Sequence, residues 1–530
     1  MPSLENARST TGTQARVRDL SPLSGMCPIC IRECKVLCEV GKSAFRGREV
    51  LYPEPERFGE STAASNKDYK LNWEDFQIMV NIQGAKGIEP EPDKTLFPNA
   101  DVSQTLGGIK VKLPIIIPGL GSTDVAKRNW AGLSIGAAIS GIIDIIGENV
   151  CGMDEETKYD SQGKVVESPQ LRFRVENYRK FWDEEYGDIG VQTNVEDQRG
   201  GVDIYAIKNL GVSIIERKWG QGAKNIGGEV RISSLEKAIM LKKRGYIVIP
   251  DPEDEAVQEA FRKKVFDTFE RHSRVGMPEF KSFVEDVEWL RSMGAKKVFL
   301  KTGAPNPYAV AFILKCASQA KVDLLTLDGG GGGTGMSPVP MMQDCSTPTI
   351  YLEAIVLDAV KILKKKGKYI PDIVIAGGFV NETQIFKSIA MSNFGEGPYV
   401  KGVAMARAPL TAAMKSEYFV KLAEAEDLPS QFRQKYGENP ENFFITMTEL
   451  KSRYGNKVGK DIPFSAIGVY TYFDRIKVGL QQLLAGVRKW NLNLLSREDL
   501  ATLTELARNV TKIPMIHEYD RKIFENILEG

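Results

Sequence analysis

The sequence predicts an α/β protein built on a (β/α)8 barrel. Three observations carry this expectation. Short β-branched runs alternate with longer stretches of helical periodicity from Lys110 to Arg407. Those runs are mostly apolar and β-branched, as strands buried on both faces are. Their number comes to about eight, which favours a closed barrel over an open doubly wound sheet. The segments 110–119, 212–222, 246–250, 296–303, 322–330, 372–378 and 400–407 read as parallel strands, with one more hidden in 186–206. Helical spacing of apolar residues fills 234–244, 279–292, 307–320, 350–366 and 382–392 between them.

The flanks divide as follows. Residues 1–25 are polar and aperiodic and read as a flexible arm. Residues 26–60 hold a cysteine cluster and a stretch in which Pro53 and Pro55 block helix. Residues 61–104 form a linker that packs on the barrel, 105–423 the barrel domain, and 424–530 a helical C-terminal layer in which Ser496 is placed to cap a helix over SREDLATLTELARNV.

Composition narrows the chemistry. Across 530 residues the charge is 70 − 69 = +1, so no field directs the chain to nucleic acid or to an anionic membrane. The longest weakly polar stretch, Gly132 to Gly147, contains Asp144 and is shorter than the roughly 20 residues of a spanning helix. Only His272 and His517 occur, which excludes a His-Glu-x-x-His zinc site and leaves proton transfer to Lys, Glu, Asp, Cys or water. Four of seven cysteines, Cys27, Cys30, Cys34 and Cys38, fall within one short span with no apolar signal segment before them. A reducing, cytoplasmic compartment is expected.

Four thiolates in a C-x2-C-x3-C-x3-C array can close on a tetrahedral metal or on the corners of an iron–sulfur cube. Zinc ribbons split their ligands into two pairs, whereas a compact run beside a proline is nearer to ferredoxin usage. A [4Fe-4S] cluster is therefore expected, with zinc or unligated cysteines as the other readings.

Asp328 closes a strand and opens a glycine run continuing through Gly332, Gly333, Thr334 and Gly335 to Ser337. Glycines let backbone N–H groups converge on an anion, and Thr334 and Ser337 add hydroxyls. Two later strand ends add Gly377, Gly378 and Gly402. Loops after late barrel strands make phosphate sites, so a bound phosphate is expected there. The strand end from Glu216 to Glu229 carries Lys218 and Lys224, which could hold the carboxylates of a small acid, and Lys301 closes another strand where it could stabilise a reduced flavin.

Together these motifs resemble the FMN-binding synthase domain of glutamate synthases. The family's I-K-x-x-Q-G-A-K-P-G-E-G-G-Q motif has its counterpart in Glu216-Arg217-Lys218-Trp219-Gly220-Gln221-Gly222-Ala223-Lys224, and its D-G-G-T-G-A-S-P motif in Gly332-Gly333-Thr334-Gly335-Met336-Ser337-Pro338. Pro118-Gly119-Leu120-Gly121-Ser122 is similar to the family's loop beneath the flavin ring. The resemblance covers about residues 105–415 and implies an FMN reduced through an iron–sulfur cluster. The reaction it implies is reductive amination of 2-oxoglutarate with ammonia to L-glutamate. It implies Gly119, Gly121 and Ser122 at the isoalloxazine, Gln192 and Lys301 at its polar edge, Gly332, Gly333, Gly378 and Gly402 at the phosphate, and Lys224 on the substrate carboxylate. Lys301 or Glu229 would serve with Lys224 as catalytic groups.

Three departures qualify what the resemblance implies. Glu229 stands where the family has glutamine, which points to another imine or an N-alkylated glutamate as the alternative substrate. The family's C-H-x-N-x-C-P stretch is missing after Arg407, so the N-terminal cysteines would have to carry the electrons. No catalytic cysteine follows Met1, so a stand-alone synthase without a glutaminase domain is expected. It would take ammonia from solution or a glutaminase subunit and electrons from ferredoxin or an NAD(P)H- or deazaflavin-oxidising subunit, as part of an oligomer. An electron-transfer subunit of a larger complex is a further reading.

Overall fold

The computed structural model describes residues 39–47, 67–220, 226–332 and 337–529. The cysteines at 27, 30, 34 and 38, and Lys224, Gly333, Thr334 and Gly335, lie outside the described residues.

Eight parallel strands close into a barrel: β1 (Ile115–Leu120), β2 (Ile143–Ile146), β3 (Ile189–Thr193), β4 (Ile214–Trp219), β5 (Lys297–Thr302), β6 (Leu324–Asp328), β7 (Asp372–Ala376) and β8 (Val400–Ala404). They pair in chain order, and β8 returns to β1 through Val403–Ile115 and Ala404–Ile116. The helices on the outside are α1 (Asp124–Ser140), α2 (Pro169–Arg179), α3 (Val202–Leu210), α4 (Phe280–Met293), α5 (Pro307–Ala320), α6 (Thr349–Lys365), α7 (Glu382–Met391) and α8 (Arg407–Glu424).

The unbroken apolar runs follow from having two buried faces. Outward residues such as Ile117, Ile215, Leu300, Leu325 and Ile375 join the helix-covered core. Inward residues Ile116, Ile143, Ile145, Ile214, Phe299, Leu324 and Val374 form a separate cluster that fills the barrel floor. A hairpin of Gln104–Leu106 and Ile109–Val111 plugs that floor with Leu106 and Val111. Its turn needs glycine: Gly107 and Gly108 have φ of +58° and +80°, and a Cβ on Gly107 would stand 2.5 Å from the Phe299 ring.

One expected strand is replaced by another. Residues 246–250 do not enter the barrel. Ile247–Ile249 is instead the edge of a three-stranded antiparallel sheet with Phe269–His272 in the centre and Glu229–Ile232 beyond it, inserted between β4 and α4. Ile247 and Ile249 are 42% and 37% exposed and only Val248 is buried, a half-solvated pattern unlike a barrel strand. The vacant barrel place belongs to β2, whose residues merge in sequence with the apolar face of α1. Gly141, at φ +64°, ends that helix and separates the two. The strand hidden in 186–206 is β3.

The two flanks fold together. Phe76–Ile78 pairs antiparallel with Leu500–Thr502, so the linker and the C-terminal layer share a ribbon. Helix α9 (Phe464–Gly486) lies against α1 and α8. Gly136 of α1 permits the approach, since a Cβ there would stand 2.6 Å from Val469. Ser496 caps only the short turn Arg497–Asp499; the strand Leu500–Thr502 follows, and Thr504 caps the next helix, Glu505–Thr511. The need to pair with Phe76–Ile78 overrides the helical reading there. Among the described residues, no helix is long and apolar enough to cross a membrane.

Candidate active site at the barrel mouth

Above the floor, the inward positions become polar. Strand alternation carries Ile214 to Glu216 and Lys218 on β4, Phe299 to Lys301 on β5, and Leu324 to Thr326 and Asp328 on β6. Gln192 of β3 joins them. Arg217 confirms the alternation by pointing the other way, into ion pairs with Asp203 of α3 at 2.7 Å and Asp286 of α4 at 2.6 Å.

The mouth interleaves carboxylates with lysines. Lys218 Nζ lies 3.0 Å from Glu148 Oε2, just past β2, and Lys301 Nζ lies 3.8 Å from Asp328 Oδ2. Lys218 and Lys301 are register partners on neighbouring strands. Gln192 Nε2 donates to Glu216 Oε1. All of these side chains are buried. Burial raises the Glu216 carboxyl above its ordinary value, opposed by Lys301, the Gln192 hydrogen bond and Lys218. Asp328 is likewise raised by burial, against Lys301, Lys218 and Arg407.

The β1 strand bulges between Ile117 and Leu120, and the sequence-predicted ring-side residues sit there. A Cβ on Gly119 would stand 2.8 Å from Gln192 Oε1, and one on Gly121 would stand 2.5 Å from the Glu148 carbonyl oxygen. Ser122 is half-buried beside them. Across the mouth, the glycine loops after β6 and β7 interlock. Gly329 N donates to Ala376 O at 2.8 Å, Gly330 N to Thr347 O at 2.8 Å, and Thr349 Oγ1 to Gly377 O at 2.8 Å. Gly377 and Gly378 have φ of +127° and +89°, a conformation that disfavours other residues. Gly332 completes this loop against the Asp328 side chain. Arg407, the first residue of α8, donates to Gly331 O at 2.9 Å.

Two predicted site residues lie elsewhere. Gly402 is in mid-strand, where a Cβ would stand 2.6 Å from Pro114 O and 3.3 Å from Leu106 of the plug. It packs the floor and does not join the glycine loops. Glu229 stands in the inserted sheet opposite His272, its Oε1 3.8 Å from the ring Nδ1, and not on a barrel strand. That an antiparallel layer follows the barrel strand β4 was not visible in a glycine-rich string.

Sequence reasoning passed over Glu148, Thr349 and Arg407 and gave Glu216 no role of its own. The available signal was charge at alternate positions of otherwise apolar strands, as in Ile214-x-Glu216-x-Lys218. Another keystone is Asn149, at φ +64°. Its Oδ1 accepts from Tyr246 at 3.1 Å and Asn194 at 3.2 Å, and its N–H donates to Asp197, tying the inserted sheet to the end of β2. Burial pushes the Asp197 carboxyl up to about 7. Among the described residues, no group of three or more His, Cys, Asp or Glu is placed to hold a metal ion.

No curated protein matches the chain. Among solved structures it is similar to a doubly mutated flavocytochrome b2 with pyruvate bound, at 13% identity over 89% of this chain and 86% of that one, with a TM-score of 0.46. It is also similar to an active mutant of (S)-mandelate dehydrogenase, at 14% identity, 81% and 88% coverage and a TM-score of 0.42. A third is a putative lactate oxidase of Pediococcus acidilactici, at 13% identity, 79% and 81% coverage and a TM-score of 0.41. Residues 271–405 match the family model described as the conserved region in glutamate synthase. That stretch runs from the inserted sheet through β5 to β8, so the part of the chain similar to the conserved region in glutamate synthase is the half-barrel bearing Lys301, Asp328 and both glycine loops.

Proposed function

We propose that the protein is an FMN-dependent oxidoreductase that reductively aminates 2-oxoglutarate to L-glutamate. The observation that carries the reading is the family match over the half-barrel whose strand ends build the charged mouth. The residues present fit a flavin. Gln192 Oε1 is buried with no hydrogen-bond partner among the described residues and faces the glycine bulge of β1, as a group awaiting a donor would. Gly119, Gly121 and Ser122 would bed the ring, Gln192 and Lys301 would meet its polar edge, and Gly332, Gly378 and Arg407 would hold the phosphate. Bound there, FMN would supply hydride transfer to an imine carbon.

The chain's own residues would do the rest. Lys218 and Lys301 place positive charge where a dicarboxylate enters, and Lys224 follows Lys218 by six residues in the sequence. Glu216, made more basic by burial, and Lys301 can hold the proton that the amine nitrogen takes up. The floor below is dry and apolar, which keeps water from the reacting carbon. Electrons would enter through an iron–sulfur cluster on Cys27, Cys30, Cys34 and Cys38, and ammonia and reductant through partner subunits. The alternative substrate, another imine or an N-alkylated glutamate, leaned on Glu229, which is engaged opposite His272.

The test is anaerobic. Purified protein should show a flavin spectrum and release FMN on denaturation, with about four irons per chain as the [4Fe-4S] assignment requires. With reduced dye, ammonia and 2-oxoglutarate it should form glutamate. A flavinated, reducible preparation that forms none would overturn the reaction, and a preparation that takes up no FMN would overturn the cofactor.

A further inference from the structure

Arg174 of α2 lies outside the barrel wall, 2% exposed, stacked on Trp130 of α1 with its guanidinium 4.6 Å from the ring centroid. Trp130 Nε1 donates back to the Arg174 carbonyl at 3.1 Å, so the pair is fixed at two points. Among the described residues, no carboxylate comes within 4.0 Å of this guanidinium in an ion pair, although Asp144 of β2 acts on it electrostatically. Burying a guanidinium in this way is costly. Among the described residues its side-chain hydrogen bonds go to one place: Nη1 donates to Leu120 O and to Gly121 O, both at 2.9 Å.

Those carbonyls belong to the bulge of β1. In a trans peptide the C=O and the following N–H point in opposite directions. A cation drawing Leu120 O and Gly121 O outward therefore turns the N–H groups of Gly121 and Ser122 to the other side of the segment. Leu120 O also accepts from Gly147 N at 3.1 Å, so the first plane has a second anchor and the Gly121–Ser122 plane leans most on Arg174; Gln192 at Gly119 and the Glu148 carbonyl at Gly121 press the same segment.

We propose that Arg174 is a positioning residue that sets the two peptide planes of the Leu120–Ser122 segment, so that consecutive backbone N–H groups are presented to an acceptor-rich heterocycle in the barrel mouth. This rests on the flavin reading for the identity of the heterocycle, but not for the orientation of the peptides. Arg174 touches no substrate. It acts through the backbone: one nitrogen, Nη1, serves both carbonyls while the planar guanidinium stacks on Trp130, so a lysine ammonium keeps donors but loses the stack that aims them, and an apolar residue loses both.

The test pairs R174M with R174K and with F299L, a floor substitution that weakens the fold without touching the bulge. In protein stripped of flavin, amide hydrogen exchange at Gly121 and Ser122 should accelerate in R174M and, less, in R174K, and stay at the wild-type rate in F299L. FMN titrated by fluorescence should bind R174M about tenfold or more weakly, the usual cost of losing a supporting contact, and F299L within about twofold of wild type. Unchanged exchange at Gly121 and Ser122 in both Arg174 variants overturns the proposal. Should R174M not fold, R174K decides by the same readout. Wild-type protein that binds no FMN would instead remove the flavin reading and leave the exchange result to judge Arg174.

Discussion

The lower and upper halves of the barrel are made by the same strands and differ in almost every chemical respect. Below, Ile214, Phe299 and Leu324 fill the axis and a hairpin seals it. Two residues further along the same strands, Glu216, Lys301 and Thr326 occupy the axis, and Lys218 and Asp328 follow. Both halves are buried, so burial alone does not separate structure from function. The lower half is held in position by dispersion and the hydrophobic effect, whereas the upper half holds desolvated charges whose mutual pairing offsets the cost of burying them.

The largest expected effect breaks the upper half. Lys301→Met removes the cation that most opposes the raised Glu216 and Asp328. Glutamate formation should fall by roughly 10²–10³, the cost of removing a preorganised charged donor, as read by product formation per bound flavin. Activity within tenfold of wild type would place the chemistry elsewhere. Breaking the lower half should do the opposite. Phe299→Ala should lower unfolding free energy by about 3–5 kcal/mol, as large-to-small core changes do, while the folded fraction keeps its turnover per flavin. Denaturant titration followed by assay below the transition separates the two.

A third expectation concerns pH. Asp144 and Asp197 are both pushed up to about 7 by burial, from ordinary values near 4. The folded chain therefore binds protons that the unfolded chain releases. Stability from these groups is full below about pH 4, is lost as pH rises toward 7, and is level above it, with a slope of at most ~1.4 kcal/mol per pH unit per group. Thermal unfolding from pH 5 to 8 should show this decline, and Asp197→Asn should flatten it. A midpoint that rises over that range would contradict the assignment. The smallest effect is Glu353→Gln on α6. Burial holds this carboxyl well above its usual range, and Ser388 donates to Oε2 at 2.8 Å, a bond the amide oxygen can also accept. Stability at pH 6 should change by less than about 1 kcal/mol; a larger loss would mean that Glu353 is ionised in the fold.

Much of this architecture is legible in the sequence. Seven of the eight barrel strands, the helices α4 to α7, and the glycine loops after β6 and β7 stand where apolar runs and glycines place them. Strand β2 was hidden because Ile142-Ile143-Asp144-Ile145-Ile146 continues the apolar character of α1, and only the left-handed Gly141 divides them. Residues 246–250 have the composition of a buried strand and the surroundings of an exposed edge, a distinction that composition does not carry. In the mouth, Lys301 follows from its place at a strand end and Gln192 from the resemblance, whereas Arg407, Glu148 and Thr349 lie far apart in sequence and converge only when the barrel closes.

The alternation of strand and helix, the glycine-rich strand ends and the placing of charge within apolar runs are local properties of the chain, because they follow from short-range periodicity and from the freedom of glycine. Long-range packing settles which run becomes β2, that Gly402 serves the floor, that Glu229 faces His272, and that Arg174 reaches around the wall to the end of β1. Those outcomes depend on which residues meet across long separations, and closure of the barrel sets that through the register of eight strands at once.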